Sequence, residues 1–248
     1  MSCSKQLYAC AKNGDVEKMK RLLKKRINVN SVDDCGWTPL HDASAFGHKE
    51  VVKVLLGAGA NPNITNAIEW TPIYYASDNG HSDVVEVLLE TGARPNIVNG
   101  FGWSPLHSAS HKGYGTIVEL LLGAGANPKN VTYDGQTPLH VASENGNGEI
   151  VEQMLQRGAN PYLVDKQGQT SLRLAQDGRT ERHDKTIELI TQWPKVVSLR
   201  TLCMRVIEQN QLDRSEYPPL LFYYPDEIKE SQKAAERGKR GVKRKVSW

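Results

Sequence analysis

The tetrad Thr38-Pro39-Leu40-His41 returns as Thr71-Pro72-Ile73-Tyr74, Ser104-Pro105-Leu106-His107, Thr137-Pro138-Leu139-His140 and Thr170-Ser171-Leu172-Arg173, each copy starting 33 residues after the last. A fixed period of this length means that the chain is built by stacking one small unit that cannot bury its own apolar face. The register extends back to Lys5-Gln6-Leu7-Tyr8, where the tetrad has decayed but Ala9, Gly14, Leu22 and Leu23 stay in phase, which makes six units.

Each stretch of the unit carries a physical signal. Thr or Ser before Pro supplies a hydroxyl N-cap, and Pro at the first helical position gives up an N–H that would be orphaned anyway, so each tetrad opens a short helix. Gly47, Gly80, Gly113 and Gly146 end it, as residues free to take positive φ in a tight turn. A second helix follows, with Val51/Val52 and Leu55/Leu56, Val84/Val85 and Leu88/Leu89, and Ile117/Val118 and Leu121/Leu122 at the i, i+4 spacing of one buried face. Gly-Ala at 59–60, 92–93, 125–126 and 158–159 then stops the second helix, and an Asn-Pro or Arg-Pro step starts an extended loop, read as a projecting finger. The first second-helix, Asp15 to Lys25, is rich in Lys and Arg, as an end cap facing water requires. In the sixth unit Ile187-Glu188-Leu189-Ile190 arrives about three residues late, behind the charged stretch 179–184.

This period and tetrad resemble the ankyrin repeat over roughly residues 5–192. The resemblance implies an all-α repeat solenoid of about six repeats, each a helix-turn-helix with a hairpin loop, over residues 1–194. It also implies a protein-binding scaffold and no enzyme, with the partner held by the fingers and the concave face of the inner helices.

The histidines fit that reading, because His41, His107 and His140 belong to tetrads while His48 and His81 follow the inter-helix glycine. His111 and His183 lie off this grid, and neither has a Glu or Cys at metal-ligand spacing. The glycines recur with the repeat and form no phosphate loop or dinucleotide fingerprint, so neither cofactor nor metal is expected. Cys3, Cys10, Cys35 and Cys203 lack paired spacing and read as reduced thiols. No apolar run approaches the ~20 residues of a membrane span, and the start lacks a signal-peptide core, so the expected location is cytoplasmic or nuclear.

Where the repeat varies, the candidate partner-binding residues stand out. Trp37, Trp70 and Trp103 precede three successive tetrads as a ladder that either anchors a partner or cements neighbouring fingers. Beside it, Asp42, Phe46, Tyr75, Asp78, Asn79, His111, Lys112, Glu144 and Asn145 fall on the concave face, and Tyr133 on a finger. This mix of aromatic, acidic and amide groups suits a protein segment better than nucleic acid.

After Trp193-Pro194 the repeat stops, and residues 198–207 read as a short helix capped by Ser198, with Leu199, Leu202, Cys203 and Val206 on one face. The segment 195–224 is either a capping helix or something more specific. Ser198, Leu199, Cys203 and Ile207 resemble the elongin-binding box that opens a SOCS box, and its place after ankyrin repeats resembles the ankyrin repeat and SOCS box family. That resemblance implies the substrate receptor of a cullin–RING ubiquitin ligase, with elongin B/C and a cullin as partners. Its second half departs from the family's Leu-Pro-x-Pro pattern, offering Tyr217-Pro218-Pro219-Leu220 instead.

The chain carries a formal charge of +3, and residues 226–248 hold eight Lys/Arg against four Asp/Glu, so the positive charge belongs to the end of the sequence. Residues 225–248 read as a disordered basic tail, and Lys239, Arg240, Lys243, Arg244 and Lys245 resemble a nuclear-import signal. The open alternatives are a ligase receptor and a stand-alone adaptor or nuclear regulator.

Overall fold

The computed structural model describes residues 3–193 apart from 26 and 179. Within them six helix pairs follow one another: α1 (Cys3–Asn13) and α2 (Val16–Leu23), α3 (Pro39–Ala45) and α4 (Lys49–Gly57), α5 (Pro72–Asp78) and α6 (Ser82–Glu90), α7 (Pro105–Lys112) and α8 (Gly115–Gly123), α9 (Pro138–Glu144) and α10 (Gly148–Gln156), and α11 (Ser171–Asp177) with α12 over 181–193. Odd-numbered helices stack on odd and even on even, forming an inner and an outer layer. Among the described residues the only pairing of strand type is an isolated bridge between Val164 and Thr170.

The tetrads explain where the inner helices begin. The Thr38 side chain accepts the His41 N–H and the His41 Nδ1 accepts the Thr38 N–H at 3.1 Å, a reciprocal cap repeated at Ser104/His107 and Thr137/His140. With Nδ1 an acceptor, Nε2 carries the proton and donates to the next finger: His41 to the Trp70 carbonyl at 3.0 Å, His107 to Gln136 at 3.2 Å, His140 to Leu163 at 3.0 Å. Each tetrad histidine therefore caps its own helix and fastens the following repeat. In the first unit Tyr8 stands at that position, and its hydroxyl donates to the Ser31 carbonyl at 2.7 Å.

Burial follows the same grid. Leu7, Leu40, Ile73, Leu106 and Leu139 are 0–1% exposed beneath the inner layer, while Val51/Val52/Leu55, Val84/Val85/Leu88 and Ile117/Val118/Leu121 close the core from the outer one. Each such side chain contributes about 1.5–3 kcal/mol on burial. In α2, Met19 and Leu22 face the stack, leaving Lys18, Lys20 and Arg21 exposed as the sequence pattern predicts.

The inter-helix turn needs glycine for space as well as conformation. Gly47 has φ +73°, and a Cβ there would fall 2.5 Å from Nδ1 of His81. His81 occupies that space because its Nε2 donates to the Ala45 carbonyl at 3.0 Å, as His48 does to Lys12 at 2.9 Å. His183 corrects the sequence reading that set it off the grid. Its Nε2 reaches the Glu144 carbonyl at 2.9 Å and the ring is buried, so it does the same work three residues late, after the insertion before α12.

Candidate functional site

The fingers are built on residues one period apart. The Asp33 carboxylate accepts the N–H groups of Cys35 and Trp37, and Asn66, Asn99 and Asp165 hold their own turns in the same way. A left-handed residue completes each turn: Gly36, Gly102, Gly135 and Gly168 in four fingers, but Glu69 at φ +63° in the remaining one. A left-handed non-glycine residue is strained. Adjacent fingers are tied at their tips by Ala67 N–H to Cys35 (3.0 Å), Gly100 to Ile68 (3.5 Å), Tyr133 to Phe101 (3.0 Å) and Lys166 to Asp134 (2.9 Å). The tips thus form one continuous edge.

That edge carries apolar side chains in water. Ile68 is 49% exposed, Phe101 60% and Tyr133 64%, on three consecutive fingers. Of these the sequence reading named only Tyr133. The signal for the other two was a large apolar residue three positions before a tetrad, where the neighbouring units carry Cys35 and Asp134.

The tryptophan ladder lies lower and is half-buried at all three rungs. Trp37 packs on Tyr75 with ring centroids 4.4 Å apart, and Trp70 lies 4.7 Å from Tyr74 and 5.1 Å from Tyr75. Tyr75 is only 8% exposed and accepts the Asn66 amide at 3.0 Å, so it is a wedge between two rungs and not an open concave-face residue. The Trp70 indole nitrogen is itself buried, without a hydrogen-bond partner among the described residues. In this part of the ladder the rings cement one finger to the next. At Trp103 the packing is looser: the ring meets His107 at 5.9 Å and the exposed His111 edge-on at 5.8 Å.

The other predicted residues do line the inner face. Phe46, Asn79, His111, Lys112 and Glu144 are exposed, with Asp42, Asp78 and Asn145 half-buried. Several are fixed by hydrogen bonds. Asp78 accepts the Ser108 hydroxyl at 2.6 Å, Asn145 donates to the His111 Nδ1 at 3.1 Å, and Asn79 and Asn145 donate to the carbonyls of Tyr75 and Val141. Burial, then the nearby Asp33, raise the pKa of Asp42 to about 6, with Lys12 opposing them. Burial also holds His41 and His107 neutral, lowering each to about 4.

Sequence profiles described as ankyrin repeats match three spans: a three-copy profile at residues 58–131 and 106–192, and a many-copy profile at 7–56. The chain belongs to the ankyrin-repeat family. No curated protein matches it. Ankyrin repeats are protein-interaction modules, so the stack is an interaction scaffold whose recognition surface varies while its grid stays fixed. No helix among the described residues is long and apolar enough to cross a membrane. Ser198, Leu199, Cys203 and Ile207 lie outside the described residues, as do Lys239, Arg240, Lys243, Arg244 and Lys245.

Proposed function

We propose that the ankyrin stack grips a segment of another protein along its finger edge and inner face, and that residues 198–207 couple the stack to elongin, making it the substrate receptor of a cullin–RING ubiquitin ligase. The grip is carried by the exposed row Ile68, Phe101 and Tyr133, apolar surface that burial in a partner would remove from water. Polar groups of α5, α7 and α9 flank this row, and an apolar centre with a polar surround is the usual anatomy of an interface. The ligase link is supported by the order of the segments, a box with Leu199 and Cys203 placed directly after the repeats.

Two variant pairs test the two halves separately. Phe101→Ser with Tyr133→Ser is expected to weaken partner capture at least tenfold and to change folding stability by no more than about 0.5 kcal/mol, since both rings are mostly in water. Unchanged capture, read by quantitative affinity purification beside thermal melting, counts against the finger grip. Leu199→Ala with Cys203→Phe is expected to abolish elongin co-purification while the substrate-side partner is retained. If wild type recovers no elongin either, the second reading stands: a stand-alone adaptor, or a nuclear regulator imported through Lys239, Arg240, Lys243, Arg244 and Lys245. The departure at Tyr217-Pro218-Pro219-Leu220 from Leu-Pro-x-Pro favours that alternative.

A further inference from the structure

Asp42 is unlike every other residue of its row. At whole periods from it the inner helices place Ala9, Tyr75, Ser108 and Val141, which are apolar or hydrogen-bonded. The Asp42 carboxylate is half-buried, yet among the described residues it has neither a hydrogen bond nor an ion pair. A carboxylate partly withdrawn from water without a donor is costly and is improved by any cation that reaches it.

Its surroundings suit a cation. Phe46 lies one turn along α3 on the same face and is 48% exposed, and the Lys12 ammonium already sits 5.5 Å from the centroid of its ring. Asp33, on the finger leading into α3, reinforces the negative potential, and among the described residues Lys12, from α1, is the cation acting on Asp42. The Tyr8 hydroxyl from α1 is committed to the Ser31 carbonyl, and the Tyr75 hydroxyl from α5 to Asn66.

We propose that Asp42, with Phe46 beside it, seats a Lys or Arg side chain of the chain's own segment 239–245, which thereby covers one end of the inner face. Charge complementarity favours that occupant: Lys239, Arg240, Lys243, Arg244 and Lys245 place five cations within seven residues. Reach permits it. The 45 residues between Trp193 and Lys239 set an upper limit of about 150 Å on the distance between them. Helices pack about 8–10 Å apart, so α3 lies some 40 Å along the stack from α11. A basic segment held there competes with any partner that uses the same face. The contact is internal to the chain and stands or falls independently of the proposed ligase role.

The test uses the full chain with Lys239, Arg240, Lys243, Arg244 and Lys245 all changed to Gln, which frees the seat, and a dye-labelled synthetic peptide of residues 236–248 as the probe. Fluorescence anisotropy at pH 7.5 and low salt should show the peptide binding, and at least fivefold more weakly to the unsubstituted chain, whose own segment occupies the seat. Adding Asp42→Asn to the glutamine chain should weaken binding about tenfold, the worth of one charge-assisted hydrogen bond. Phe46→Ala should weaken it severalfold. The paired change Glu119→Gln and Glu149→Gln, on the exposed outer helices, should alter it less than twofold. Between pH 7.5 and 5 affinity should fall as Asp42 becomes protonated, because Lys and Arg of the peptide stay charged. Unchanged circular dichroism separates these effects from misfolding. No peptide binding, equal binding by the substituted and unsubstituted chains, or Asp42→Asn binding within twofold of its parent would each overturn the proposal.

Discussion

Tyr75→Ala is expected to lower stability by about 3–5 kcal/mol, a fall in melting temperature on the order of 10 °C for a domain of this size. The ring fills the gap between Trp37 and Trp70, and truncating it leaves a cavity flanked by two half-buried indoles. The same change strands the Asn66 side-chain amide, which donates to the Tyr75 hydroxyl at 3.0 Å in a buried setting. Asn66 also orders its finger by accepting from Ile68 and Trp70, so the damage should spread to the tip. Adding Trp70→Ala would deepen the loss, and less than additively, because the two rings share one contact. Thermal and urea denaturation of the single and double variants check this. A melting temperature within about 2 °C of wild type for Tyr75→Ala would return that ring to the open surface.

Acidification should destabilise the stack well above the pH at which ordinary carboxylates titrate. His41 and His107 have pKa values of about 4 in the folded chain against the ordinary 6.5 of a histidine, so the unfolded chain binds protons that the native one refuses. Their contribution is fully present above pH 6.5 and is lost as pH falls towards 4. By linkage the two together lose on the order of 4 kcal/mol between pH 7 and pH 5. His140, lowered by burial as well, adds in the same direction. Asp42 opposes them. Its carboxyl is raised to about 6, so protonation favours the native state by about 1 kcal/mol over the same interval, after discounting for solvent at a half-buried site. The urea midpoint should therefore drop sharply between pH 7 and pH 5. Replacing His107 with Gln should lower the midpoint at pH 7 while flattening its pH dependence. A midpoint constant over that range would mean that the tetrad histidines are not held neutral.

The period made most of this architecture legible. Thr-Pro-Leu-His reports a cap, a first turn, a core leucine and a finger clamp at once, and five copies in phase leave no other way to align the helices. The inner-face residues Asp42, Phe46, Asp78, Asn79, His111, Lys112, Glu144 and Asn145 were likewise placed by register alone. What register could not reveal was burial set by a neighbour. Tyr75 shares a row with Asp42 and Ser108, and it is closed off only because a tryptophan stands on either side. Tyr8 and His183 show a related limit of register. Tyr8 reaches the required carbonyl with a different functional group, and His183 does so from a helix displaced by an insertion. The asparagine ladder that ties Asn30 to Gly59, Asn63 to Gly92 and Asn96 to Gly125 also follows the period, but in a loop whose polar residues read as ordinary solvent-facing groups. Ile68 and Phe101 stand three residues before their tetrads, but only the tips seen side by side show that they belong to one exposed row.

Hydrogen–deuterium exchange of the full chain with and without its captured partner tests the central claim most directly. Partner binding should slow exchange at the finger tips around 66–70, 99–103 and 132–135 and along α5 and α7, leaving α4, α6 and α8 unchanged. Protection confined to those outer helices, with the finger edge as fast as in the free chain, would contradict it.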